Sequence, residues 1–248
     1  MGSCQTTPRC RDTTMETFEE DCKNAVTGLD LMNIAETYHQ ILTASYDDHK
    51  VDSNKFKKIY NDYIGWALPS QKACQLVIDE WQKDPSRRIV DLGAGTGLFC
   101  KVFHDLGVPG DKLIAVDITN PTHTPLDASI ERKEFWHINL DNNYKPNPED
   151  ILFIAWGTSG IDDIVDDYVE RGGKCIIILG ETNVTYDPEQ FMDSETEKPK
   201  EDWWVELHHV PGALSIYAEQ LSINKNIRDM KMGLLWILIE KYNTWMGY

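Results

Sequence analysis

Ile89-Val90-Asp91-Leu92-Gly93-Ala94-Gly95-Thr96-Gly97-Leu98-Phe99 decides how the rest of the chain is read. The apolar run Ile89, Val90, Leu92 has the character of a buried parallel strand. It ends in three glycines on alternate positions and then enters Leu98, Phe99, Val102, Phe103 and Leu106, which have helical spacing. Glycines at that junction let the backbone turn tightly and approach a ligand, and the helix that follows offers N–H groups at its positive end. Asp91 stands two residues before the first glycine, where a carboxylate suits a ligand carrying an ammonium group. Asp117 closes the next apolar run, Leu113-Ile114-Ala115-Val116-Asp117, twenty residues after Gly97. A carboxylate there can accept both hydroxyls of a ribose.

Asp-Leu-Gly-Ala-Gly-Thr-Gly followed by a strand ending in aspartate resembles the class I S-adenosylmethionine (SAM) dependent methyltransferase family, over roughly Arg87 to Lys225. The resemblance implies an α/β fold: a Rossmann-like, mostly parallel sheet with an antiparallel last strand and an N-terminal helical cap. It also implies SAM as cofactor. Two rivals stand beside it. A nicotinamide or flavin nucleotide site expects Gly-x-Gly-x-x-Gly, but position 98 is leucine, and it expects no acid at position 91. A purely structural glycine turn is the other.

The composition is that of an ordinary globular protein: 248 residues, 41% hydrophobic and 26% charged. That length suits one large domain, or a domain with an appended cap. The formal net charge of −17 excludes more. A protein that grips a nucleic-acid backbone needs a basic stripe, and the densest lysine group here (Lys55, Lys57, Lys58) is offset by Asp47, Asp48, Asp52 and Asp62. Nucleic acid is therefore not the expected partner. The six cysteines form no Cys-x-x-Cys pair and no metal spacing, so reduced thiols in a cytoplasmic protein are the expectation. No secretory signal is legible in the first thirty residues, and the longest apolar run, Leu234 to Ile239, is too short to span a bilayer. Met1-Gly2-Ser3-Cys4-Gln5-Thr6 matches the N-myristoylation pattern, with Cys4 placed for a second acyl chain. The plain alternative is an incidental Met-Gly start, and an acidic body is repelled by anionic membranes.

Along the chain, residues 1–27 read as a polar tail, 28–86 as a helical cap and 87–248 as the SAM-binding domain. Leu31, Ile34, Ala35, Tyr38, Ile41 and Leu42 mark one helical face, and a polar break follows from Ser45 to Asn54. Phe56, Ile59, Tyr60, Tyr63 and Ile64 mark a second helix, which Gly65-Trp66-Ala67-Leu68-Pro69 interrupts. Ser70 is placed to cap a third. In the resembled fold such helices cover the cofactor, which makes Tyr63 and Trp66 candidates for substrate contact; aromatics at helical spacing are otherwise core. Strands are expected at Arg88–Leu92, Lys112–Ile118, Glu134–Ile138, Ile151–Trp156 and Lys174–Leu179, with a helix from Gly160 to Glu170 before the fifth. Continuous apolar strands with helices between them mean a parallel sheet covered on both faces. Trp203–Val210 and Ser215–Ile223 read as an antiparallel pair. Arg228–Tyr248 reads as a helix packed on the sheet or as a dimer contact.

The resemblance assigns roles by position. Gly93, Ala94, Gly95 and Gly97 surround the methionine part, Asp91 meets its ammonium, and Asp117 holds the ribose. Asn139 reads the adenine amino group, with Ile118 and Leu140 walling the ring; the bland role for Asn139 is a strand-end turn. Trp156-Gly157-Thr158 occupies the loop facing the transferred methyl, and it lacks the Asn/Asp-Pro-Pro-Tyr/Phe of amino-methylating relatives. Glu181, at the end of strand five, is the candidate base or substrate contact, or else a salt-bridged strand end. His208 and His209 alternate faces on a strand, so they cannot share one site. His123 lies in a turn-rich loop, and Asp162, Asp163, Asp166 and Asp167 read as a solvated helix face. No metal is expected. The implied reaction is methyl transfer to a small molecule, or to a protein side chain. A silent SAM-fold binding protein and an aminopropyl transferase are the alternatives.

Overall fold

The computed structural model describes residues 14–48, 53–65, 67–117, 130–134, 144–155, 161–180, 203–211, 214–215 and 232–240, with side chains except at 42–48, 53, 132, 134, 161–162 and from 203 on. The calls on Trp66, Ile118, His123, Asn139, Leu140, Trp156 and Glu181 lie outside the described residues.

Three helices open the chain: α1 (Met15–Asn24), α2 (Gly28–Asp48) and α3 (Ser53–Tyr63). A short strand β1 (Ala67–Leu68) and helix α4 (Gln71–Gln82) lead to the first sheet strand, β2 (Ile89–Leu92). There follow α5 (Leu98–Asp105), β3 (Leu113–Asp117), β4 (Glu131–Glu134), β5 (Ile151–Ala155), α6 (Ile161–Glu170), β6 (Cys175–Gly180), β7 (Trp203–Pro211), β8 (Leu214–Ser215) and β9 (Met232–Glu240). The seven-stranded sheet has the order β4-β3-β2-β5-β6-β9-β7, and β1 pairs separately with β8. The first five strands of that order are parallel, and β9 runs against both neighbours. This is a Rossmann-like α/β sheet. Chain order reverses beside β2, which has β3 on one side and β5 on the other, so the topological switch point lies at the carboxyl end of β2.

Alternation along the strands sorts the core into two layers. Ile89, Leu113, Ala115, Ile151, Phe153, Cys175, Ile177 and Leu179 join a cluster with α1–α5. Val90, Leu92, Ile114, Val116, Leu152, Ile154, Ile176 and Ile178 join Ile164, Val165 and Tyr168 of α6 on the other face. Phe153 packs edge-on to Phe99 and Phe103 of α5, at 5.1 and 5.2 Å between ring centroids. The cap and the sheet share one continuous cluster, from Phe18 and Tyr38 through Leu68 and Trp81 to Phe153. Each fully buried aliphatic contributes about 1.5–3 kcal/mol, so this shared layer holds the cap firmly to the sheet.

Five expectations are corrected. The tail contains α1: the Thr14 hydroxyl accepts from Thr17 N at 3.3 Å and caps the helix, and Phe18 and Cys22, one turn apart, bury their side chains. Two apolar residues make too short a stripe to register as a period. The polar break expected from Ser45 does not end the second helix, which continues to Asp48. The third parallel strand lies at Glu131–Glu134, three residues earlier than expected; its charged sequence suits the sheet edge it occupies. The segment 228–248, read as a helix, contains β9, inserted between β6 and β7. A strand flanked on both sides reads as an unbroken apolar run, here Leu234 to Ile239, and such a run carries neither period. The partner of Trp203–Val210 is therefore β9, while Leu214–Ser215 pairs with β1. Ser70 does cap α4, its hydroxyl accepting from Ala73 N at 3.2 Å.

Candidate functional site

The carboxyl end of β2 sits at the switch point, and the glycine loop leaves the sheet there. Gly93, Gly95 and Gly97 have φ of 78°, 54° and 87°, conformations that residues with a Cβ adopt at a cost. Their alternate placement turns the chain from β2 into α5, whose first residue, Leu98, is buried. The loop's own amides are engaged. Gly93 and Ala94 N–H both donate to Val116 O at 2.8 and 3.0 Å, and Gly97 N–H donates to Ala94 O at 2.8 Å. Gly95 N–H donates to Asp117 Oδ2 at 2.7 Å. Asp117 is thus a splint that holds the loop against β3, a role its sequence position did not reveal.

Asp91 and Asp117 lie on one face of the sheet. Each follows an alternate residue of the layer that packs under α5 and the cap: Ile89 before Asp91, and Leu113 and Ala115 before Asp117. Asp91 is paired in register with Ala115, so Asp117 stands two residues further out, roughly 7 Å along the strand. Both are buried, Asp91 to 1% exposure and Asp117 to 9%. The Cys100 thiol of α5 donates to Asp91 Oδ2 at 3.6 Å. An ionised carboxylate this deep is costly in an apolar medium, and two of them at adjacent strand ends mark a place built for polar contact.

A cleft of about 40 Å³ opens at this point. Asp91, Gly93–Thr96, Leu98 and Phe99 line it from the loop and α5, Ala155 from the end of β5, and Gly65 and Ala67 from the cap. No lysine or arginine lines it among the described residues. Lys101, one turn further along α5, instead pairs with Asp105 at 3.0 Å. The cap reaches the loop through the Thr96 hydroxyl, which donates to Ile64 O at 2.5 Å. Asp91, Gly93, Ala94 and Gly95 therefore meet around one cleft, with Gly97 and Asp117 fixing the loop from behind.

Tyr63 does not line this cleft among the described residues. Its hydroxyl donates to Glu19 Oε1 at 3.4 Å, and the Lys23 ammonium stands 5.3 Å from its ring centroid. Lys23 also holds the Glu19 carboxyl below its ordinary value, chiefly by a side-chain hydrogen bond. The tyrosine expected to touch substrate thus packs toward α1. Asp163 and Asp166 of α6 are exposed, and Asp167 pairs with Arg171 at 2.8 Å, as a solvated helix face does. His208 and His209 occupy successive registers of β7, opposite Leu235 and Leu234.

Two groupings that sequence reasoning missed have no part in the cleft. A far larger groove, about 1060 Å³, lies between α2, α4 and α5, lined by Val26, Leu29, Met32, Lys101 and Leu106 among others. Its lining includes the Lys101–Asp105 ion pair, whereas the small cleft holds the switch-point acid. At the opposite end of the sheet, Arg88 grips Asp150 with two bonds of 2.9 and 2.8 Å. No helix among the described residues is long and apolar enough to cross a membrane.

No family model matches this chain, and no curated protein matches it by sequence. Solved structures resemble it at low identity. A putative caffeoyl-CoA O-methyltransferase from Staphylococcus aureus is 10% identical, covering 82% of this chain and 99% of that one, with a TM-score of 0.46. The plantazolicin methyltransferase BpumL, in complex with a pentazolic desmethylPZN analogue and SAH, is 12% identical, covering 92% and 98%, with a TM-score of 0.42. The 23S rRNA methyltransferase ErmE is 12% identical, covering 70% and 69%, with a TM-score of 0.43. With TM-scores under 0.5 these likenesses carry no weight for the reaction. The functional reading rests on the chain's own residues.

Proposed function

We propose that this chain is a class I SAM-dependent methyltransferase acting on a small-molecule acceptor. The observation that carries the reading is the chemistry of the switch-point cleft. A buried acid lines it, a second splints its loop, and no lysine or arginine lines it among the described residues. Such a cleft suits a cationic ligand, and SAM carries both an ammonium and a sulfonium. A dinucleotide fits worse. Its pyrophosphate needs loop amides directed outward at the helix N-terminus, whereas those of Gly93, Ala94, Gly95 and Gly97 are spent within the protein.

In this reading Asp91 meets the ammonium and Gly93, Ala94, Gly95 and Gly97 admit the methionine part. Asp117 holds the ribose while its Oδ2 keeps Gly95 in place. Ile118, Asn139 and Leu140 take the adenine, Trp156 and Glu181 serve the acceptor, and Trp66 contributes a substrate contact. Residues 28–86 are the cap and 87–248 the binding domain. When bound, SAM supplies a methyl already activated by its sulfonium. The protein then has to align the acceptor with that carbon and exclude water. Glu181 would take the proton where the acceptor is an amine or hydroxyl.

Calorimetric titration with SAM, S-adenosylhomocysteine and NAD tests the reading, with Asp117→Ala as control. Micromolar binding of the first two, lost in the variant, is the expected result and opens a substrate screen with labelled methyl. A folded protein that binds neither would overturn it.

A further inference from the structure

Of the two acids at the switch point, Asp91 lines the cleft and is the more deeply buried, at 1% exposure. A carboxylate with so little access to water is oriented by what the protein sets against it. The Cys100 thiol is one such group, donating to Asp91 Oδ2 at 3.6 Å. Its place follows from the glycine loop. Gly97 is the N-cap of α5, so Cys100 falls in that helix's first turn, and it joins the core beneath with Leu113 and Phe153. Its neighbours Leu98 and Phe99 line the cleft, while Cys100 itself is fully buried. The thiol thus meets the acid from the protein interior.

A thiol is a small apolar group with a weak S–H donor. It can orient one carboxylate oxygen while drawing off little of its charge. A charged donor does the opposite, as the Arg88 guanidinium does on both oxygens of Asp150. We propose that Cys100 is a positioning residue for the ligand's ammonium: its thiol sets the Asp91 carboxylate toward the amino-acid end of the cofactor without neutralising it. The inference rests on the proposed cofactor site and adds a residue to it. Its effect is confined to one end of the ligand, because in that site the ribose falls to Asp117, which is splinted to Gly95.

Calorimetric dissociation constants for S-adenosylhomocysteine and 5′-methylthioadenosine test the proposal. The second ligand keeps the adenine, ribose and sulfur of the first but carries neither ammonium nor carboxylate. Cys100→Ala should weaken S-adenosylhomocysteine about fivefold, the effect of losing one modest hydrogen bond, and leave methylthioadenosine within about twofold. Cys100→Ser, which keeps a donor on the same carbon, should restore S-adenosylhomocysteine binding to near wild type. Cys100→Val fills the space without a donor and replaces the alanine variant if that one does not fold. Equal weakening of both ligands would make the cysteine a packing residue and overturn the proposal, as would an unchanged affinity for S-adenosylhomocysteine. Those outcomes leave the cofactor reading standing. A folded wild type that binds neither ligand would overturn that reading, and the proposal with it.

Discussion

The two ends of the same parallel sheet bury acids in opposite ways. At the amino ends of the strands, Asp150 is 3% exposed and meets the Arg88 guanidinium on both oxygens, with Asn147 N–H adding a bond of 2.8 Å. Beside it the Tyr168 hydroxyl donates to Asp150 O at 2.8 Å and accepts from Lys174 and Cys175 N–H at 3.0 and 3.2 Å. Burial pushes that phenol above its ordinary range. At the carboxyl ends, Asp91 (1% exposed) and Asp117 (9%) are also buried, but they meet a thiol and a loop amide, and Asp91 lines a cleft. The first arrangement is closed by charge on charge and ties β2 to β5. In the second a thiol and a loop amide meet the carboxylates beside a cleft. Burial alone does not mark a functional acid; what the carboxylate faces does.

That contrast predicts variants that fail in opposite ways. The largest effect belongs to the closed end. A Cβ on Gly173 would lie 2.2–2.5 Å from the Tyr168 ring. Gly173→Ala should therefore cost about 3 kcal/mol by denaturant titration, while the folded fraction still binds S-adenosylhomocysteine. Next comes Asp91→Ala at the open end, with affinity for the same ligand falling about 100-fold by calorimetry. Its melting temperature should hold or rise, because a buried carboxylate is itself costly. A drop in melting with unchanged affinity would place Asp91 with Asp150 and abolish the comparison.

Arg88→Met leaves Asp150 buried beside an apolar chain. Since Arg88 is about a third exposed, the loss should be about 2 kcal/mol rather than the full value for a buried pair. Ligand affinity should not change. Ser70→Ala removes the α4 cap for about 1 kcal/mol, read as a small shift in the denaturant midpoint. At neutral pH the smallest effect comes from the thiols. Burial pushes Cys74 and Cys175 up to about 12 from an ordinary 9. Folding thus favours the neutral thiol, so this contribution is complete below pH 9 and is lost as pH rises toward 12. Native protein at pH 7.5 should resist iodoacetamide at both positions, by mass spectrometry, and unfolded protein should not.

Most of the sheet was legible because its strands are short apolar runs separated by turn residues. β2, β3, β5 and β6 fall within a residue or so of their expected bounds. The elements that misled carry weak or double signals. α1 buries only Phe18 and Cys22 and has no longer stripe to announce it. β4 is charged at every position, Glu131-Arg132-Lys133-Glu134, as only an edge strand tolerates. Leu234 to Ile239 fits a buried strand and a buried helix equally well until neighbours choose. Tyr63 was a candidate for substrate contact through the resemblance alone, its helical spacing arguing for core, and the contacts described for it are with Glu19 and Lys23 of α1.

The sequence by itself determined the strand–loop–helix at Ile89–Phe99 and the acid two residues before its first glycine. It also determined the second acid at the end of the next strand, because these depend on backbone freedom and side-chain alternation within a few residues. Tertiary structure alone decided that Asp91 and Asp117 share a face, that Asp117 splints Gly95, that the cap reaches Thr96 through Ile64, and that β9 enters between β6 and β7. Each of these joins residues far apart in the chain through hydrogen bonds and packing. Such contacts form only when the whole sheet closes, and no local pattern encodes them.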